Sequence, residues 1–68
     1  MGANRIGKPV TIEEQVECVA RELTLRRRVY ARRVNEKQMT QALADKEIGR
    51  MEAVLETLRA IEAKGKLL

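Results

Sequence analysis

Few side chains in this sequence can do chemistry. Cys18 is its single cysteine and Tyr30 its single aromatic residue, and neither histidine nor serine occurs among the 68 residues. Without histidine there is no ordinary side chain poised to act as a general base near neutral pH. One thiol cannot build a zinc site, because the remaining ligands would have to be mostly carboxylates. No metal and no cofactor is therefore expected. Gly2, Gly7, Gly49 and Gly65 stand alone, so no glycine-rich loop is available to cradle a phosphate. The neighbouring acids Glu13 and Glu14 suit a helix start better than a catalytic pair. Cys18 falls on an apolar flank and reads as a buried structural thiol, not a nucleophile. These residue types do not point to an enzyme.

The arginines are the densest chemical feature. Arg21, Arg26, Arg27, Arg28, Arg32 and Arg33 all lie in one helix-period segment. At about 100° per residue, Arg21, Arg28 and Arg32 point outward in a stripe that has the makings of a phosphate track. Arg26 and Arg33 fall on one side of the segment's apolar face and Arg27 on the other. A second segment supplies Asp45, Glu47, Glu52, Glu56 and Glu62, several of which face Arg26, Arg27 and Arg33 across the interface. Such pairs set register more than stability, at roughly 0–1 kcal/mol each when exposed. Two readings stay open: an ion-paired, solvated face, and a small nucleic-acid-binding surface on Arg21, Arg28 and Arg32. The lone Tyr30 is expected to pack its ring and send its hydroxyl to Asp45 or to solvent. Stacking on nucleobases would ordinarily need more than one aromatic.

Two long helices must position these groups. Residues 12–34 and 41–64 both show helix-period apolar spacing, each roughly 23 residues or about 34 Å long. Thr11-Ile12-Glu13-Glu14 is a capping box that starts the first helix. Asn35 is suited to the left-handed residue that closes it. After a short polar link, Thr40 is a second N-cap, and Gly65 is the natural C′ residue that ends the second helix, with Lys64 and Lys66 at its negative end. Leu67 is expected to fold back against that cap. Residues 1–10, with Gly2, Gly7 and Pro9, read as a flexible N-terminal arm whose Arg5 and Lys8 are a weak candidate for backbone contact with nucleic acid.

A five- or six-residue connection makes the helices antiparallel neighbours. Ile12, Val16, Val19, Leu23, Tyr30 and Val34 form one apolar seam; Ala44, Ile48, Met51, Leu55 and Leu58 form the other. Their pairing puts Val19 near Leu55, Leu23 near Met51 and Ile48, and Tyr30 near Ala44. A second apolar surface lies off the seam: Cys18, Leu25 and Val29 on the first helix, Leu43, Val54 and Ile61 on the second. Two hairpins stacked through it would make a four-helix bundle, so these six residues are the expected dimer interface. Gly49, with Ala53 and Ala60 on the face opposite the seam, is either a close-approach docking surface or a tolerated solvent-exposed glycine.

Size favours that association. A core in a chain this short supplies only about 3–5 kcal/mol, and a lone hairpin leaves both flanks wet. No disulfide is available to compensate. The excess of 14 Lys and Arg over 10 acids is modest, a net charge of +4. No apolar run approaches the roughly 18 residues of a membrane span, no signal-peptide core follows the N-terminus, and Ile6 occupies the position where a myristoylation motif needs Ser or Thr. Membrane-surface binding is disfavoured by the missing Trp and Phe. A cytoplasmic setting is expected.

Arg28-Val29-Tyr30, Arg33-Val34, Ala44-Asp45-Lys46-Glu47-Ile48 and Met51-Glu52-Ala53-Val54-Leu55-Glu56-Thr57-Leu58 resemble a group of small uncharacterised proteins of phages and prophages. The resemblance covers about Thr11 to Ile61. The link Asn35–Met39 departs from it, since that group carries a glycine-containing turn. The resemblance implies a bacterial or phage cytoplasmic origin and brings no activity or site residues with it. The sequence thus predicts an all-α, self-associating, non-enzymatic interaction module, a dimer first, with a separate protein partner or nucleic acid as the other candidate partners.

Overall fold

The computed structural model describes residues 9–67, which form two helices, α1 (Ile12–Asn35) and α2 (Gln41–Leu67), packed against each other as a hairpin. No strand occurs among the described residues. The proposed N-terminal arm, with Arg5 and Lys8, lies outside them except for Pro9 and Val10, which are exposed and non-helical.

The start of α1 follows from its capping box. The Thr11 hydroxyl accepts from the backbone N–H of Glu14 at 3.1 Å, and Glu14 Oε1 accepts from the backbone N–H of Thr11 at 2.9 Å. Two orphan donors are satisfied reciprocally, and Glu13 and Glu14 complement the positive helix end. At the far end the expectation for Asn35 fails. Asn35 is the last helical residue, and the left-handed position falls two residues later on Lys37, at φ 61°. The N–H of Lys37 donates to the Val34 carbonyl at 3.0 Å and the N–H of Gln38 to the Arg33 carbonyl at 2.8 Å. This is the Schellman pattern with lysine where glycine is usual. The chain reverses here without the residue that a sequence reader looks for.

Thr40 caps α2 as its type suggests: its hydroxyl accepts from the N–H of Leu43 at 3.1 Å. The other end of α2 departs from expectation. Gly65 does not adopt a left-handed conformation and α2 continues through it to Leu67, so Leu67 prolongs the helix instead of folding back. Glycine's conformational freedom suits a cap, but glycine is also compatible with helical backbone when nothing requires the turn.

The seam is where periodicity places it. Leu23, Ala44 and Leu55 are the buried core, at 3, 4 and 7% exposure. Ile12, Val16, Val19, Tyr30, Val34, Ile48, Met51 and Leu58 are all half-buried around them. No described side chain is sealed from solvent completely, because a hairpin is one helical layer thick and offers each residue cover from one side only.

Candidate functional site

One unpartnered surface of the hairpin is apolar. Leu25, Leu43, Val54 and Ile61 are 45, 44, 48 and 52% exposed although each sits inside a regular helix. Cys18 is also exposed and carries a free thiol, so the expectation of burial fails within a single chain. Val29 is half-buried. These six residues divide into two stripes. Leu43, Val54 and Ile61 share one face of α2, about 100° around the helix from the buried Ala44 and Leu55. Leu25 lies about 160° around α1 from Leu23, which puts it on the far side of α1 from the seam. Cys18 and Val29 flank it there. A partner that covered all six would have to wrap from the α2 stripe around α1. The α2 stripe adjoins the seam, and Ala53, Val54, Thr57 and Leu58 line a shallow hollow in its middle.

The other face of the hairpin is a charged groove of about 660 Å³. Ala20, Thr24 and Arg27 of α1 and Gly49, Glu52, Ala53, Glu56 and Arg59 of α2 line it, together with the buried Leu23 and Leu55. Gly49 and Ala53 thus reach the groove between the helices, while Ala60 does not line it. A Cβ built on Gly49 meets nothing within 4 Å, so nothing within this chain requires glycine there. The sequence hinted at the groove through small residues on both helices, Ala20 on one and Gly49 and Ala53 on the other. Periodicity alone did not bring them together.

The ion pairs are sparser than the charge pattern suggests. Arg27 pairs with Glu52 across the hairpin, and it is the single interhelical pair among the described residues. Arg26 turns to Glu22 on its own helix at 3.2 Å. That hydrogen bond, together with nearby Tyr30, holds the Arg26 guanidinium above its ordinary pKa. Glu47 pairs with Arg50 at 3.4 Å and Glu62 with Lys66 at 3.8 Å, both within α2. Arg33 therefore has no cross-seam partner, and Arg21, Arg28 and Arg32 are exposed and likewise form no ion pair among the described residues. The physical reason is reach. A partner four residues away on the same helix is always near, whereas a cross-seam partner needs both side chains on the same side of the hairpin.

Tyr30 does not engage Asp45, whose carboxylate accepts from the Gln41 side chain at 2.9 Å. The ring is half-buried at the seam, beside Arg26. Among the described residues no group of three or more His, Cys, Asp or Glu is placed to hold a metal ion, and no helix is long and apolar enough to cross a membrane. Comparison with protein-family models, curated proteins and solved structures finds no match to this chain.

Proposed function

We propose that this chain is a cytoplasmic, non-enzymatic assembly module of the phage or prophage type whose two helices complete their core by dimerising into a four-helix bundle. The observation that carries this reading is a mismatch within ordered helices. Among the described residues three are buried, while four large aliphatic side chains within the helices remain close to half exposed at regular helical spacing. A hairpin with so small a core gains little from burial to offset the roughly 1–2 kcal/mol of backbone entropy that each ordered residue loses. A second copy placed on Leu43, Val54 and Ile61 removes that apolar surface from water and gives the seam a second layer. Wrapping further, it covers Val29, Cys18 and Leu25. A two-fold arrangement satisfies both chains with one interface and closes the assembly.

Light scattering across a range of protein concentrations tests the reading. The expected mass is about twice the 7.8 kDa of the chain and independent of concentration. A fully helical monomer at every concentration overturns self-association, and the α2 stripe would then belong to a different protein.

A further inference from the structure

The net charge of this chain is concentrated at one end of the hairpin. Residues 26–46, which hold the last turns of α1, the connection and the first turns of α2, contain seven Lys or Arg against two acids, a net charge of +5. Residues 12–25 contain one arginine against four glutamates, a net charge of −3, residues 47–66 balance at four against four, and residues 1–11 add Arg5 and Lys8 for the remaining +2. The hairpin is thus polarised along its length, with the cations at the loop end.

Local structure accounts for only part of this cluster. Arg32 and Arg33 lie in the last turn of α1, where the negative end of the helix favours cations. Arg26 and Arg27 are held by Glu22 and Glu52. Arg28, Arg32, Arg33 and Lys37 remain exposed, with no carboxylate partner among the described residues. The two acids at this end do not neutralise them: Asp45 is engaged by Gln41, and Glu36 forms no ion pair among the described residues. Arg21, by contrast, sits in the acidic half of α1 with Glu17 and Glu22 close by in sequence, and it contributes little to a basic surface.

We infer that the loop end of the hairpin is a docking site for the phosphate backbone of duplex nucleic acid, with Arg28, Arg32, Arg33 and Lys37 as the contact residues. Arginine suits phosphate because its planar donor fork engages two oxygens at once. The chemistry points to the backbone, not to bases. The single aromatic ring is half-buried, so no stacking platform for unpaired bases exists, and the hairpin's helices, 24 and 27 residues long, are not the short recognition helix that enters a major groove. Recognition at this end is therefore independent of sequence and governed by counterion release.

Fluorescence anisotropy with a labelled 20-base-pair DNA duplex tests it on the full chain. Three to four neutralised phosphates give a salt slope of about −3, so affinity should fall about sixtyfold between roughly 50 and 200 mM salt. Duplexes of unrelated sequence should bind alike. The triple variant Arg28→Gln, Arg32→Gln, Arg33→Gln should bind at least about tenfold more weakly at low salt, whereas Lys64→Gln with Lys66→Gln, at the other end, should leave affinity unchanged. Circular dichroism accompanies each variant. If the triple variant loses helix, the single variants Arg28→Gln and Arg32→Gln supply the reading, each lowering the salt slope by about one. Absence of binding at 50 mM salt overturns the inference. So does equal affinity of the parent and the folded Arg28, Arg32 and Arg33 variants, or tighter binding to phosphatidylserine-containing vesicles than to duplex.

Discussion

Arg27 and Glu52 stand 25 residues apart in sequence and meet across the hairpin at the rim of its charged groove. Their pairing fixes which side of α1 lies beside which side of α2, while the buried Leu23 and Leu55 supply the burial below them. Both charged side chains are about half exposed, so solvent screens the attraction, and the pair directs register more than it stabilises. A double-mutant cycle with Arg27→Ala and Glu52→Ala should give a coupling of about 0.2–1 kcal/mol that shrinks as salt is raised. A salt-independent coupling well above that range would show that the pair is buried in the assembled protein, and would count against the open groove.

The connection offers a sharper stability test. Lys37 occupies the left-handed region at φ 61°, where a side chain costs about 1–2 kcal/mol that glycine avoids. Glycine gives back part of this through its freer unfolded chain. Lys37→Gly should therefore stabilise the protein by roughly 0.5–1 kcal/mol, and Lys37→Val should destabilise it by at least as much. Thermal denaturation at one fixed protein concentration reads both, and the opposite order would contradict the Schellman geometry at Arg33, Val34 and Gln38.

The parts of this fold that could be read from sequence are those fixed by period and by local donors. The spacing of Leu23, Ala44 and Leu55 identifies the core because a helix repeats its faces whatever it packs against. Thr11 and Thr40 are legible as caps because a hydroxyl three residues before an orphan N–H needs no tertiary help. Lys37 and Gly65 mislead for the converse reason. Each position's backbone conformation is set by how the chain must travel, and residue preference of about 1 kcal/mol yields to that. The arginines mislead differently. Helix-wheel position says which side of the seam Arg33 occupies, but not whether a carboxylate stands within reach of it. The charged groove needs both helices in register before Ala20, Gly49 and Ala53 come together.

Gly49 separates what this chain needs from what a partner needs. Inside a helix it is about 1 kcal/mol less favourable than alanine, and an added Cβ would meet nothing within 4 Å. Gly49→Ala should accordingly raise stability by up to about 1 kcal/mol, seen as a higher unfolding midpoint at unchanged helicity. A lower midpoint would mean that something outside the hairpin packs against that edge of the groove.

The apolar stripes carry the last prediction. On a solvated helix surface, replacing an aliphatic residue by aspartate usually changes stability by no more than about 0.5 kcal/mol. In an interface the same change buries an unpaired charge and costs several times more. Val54 lies in the middle of the α2 stripe that adjoins the seam, whereas Leu25 sits on the far side of α1. Val54→Asp should therefore weaken association more than Leu25→Asp, with the loss of helix growing on dilution. The double variant should be a 7.8 kDa monomer of greatly reduced helicity. Leu23→Ala, which removes core and not interface, should lower helicity at all concentrations, at a cost of about 2–5 kcal/mol. Light scattering and circular dichroism on the same samples distinguish the two behaviours. A double variant that kept its full helicity and the parent's mass would show that Leu25 and Val54 are ordinary solvated surface.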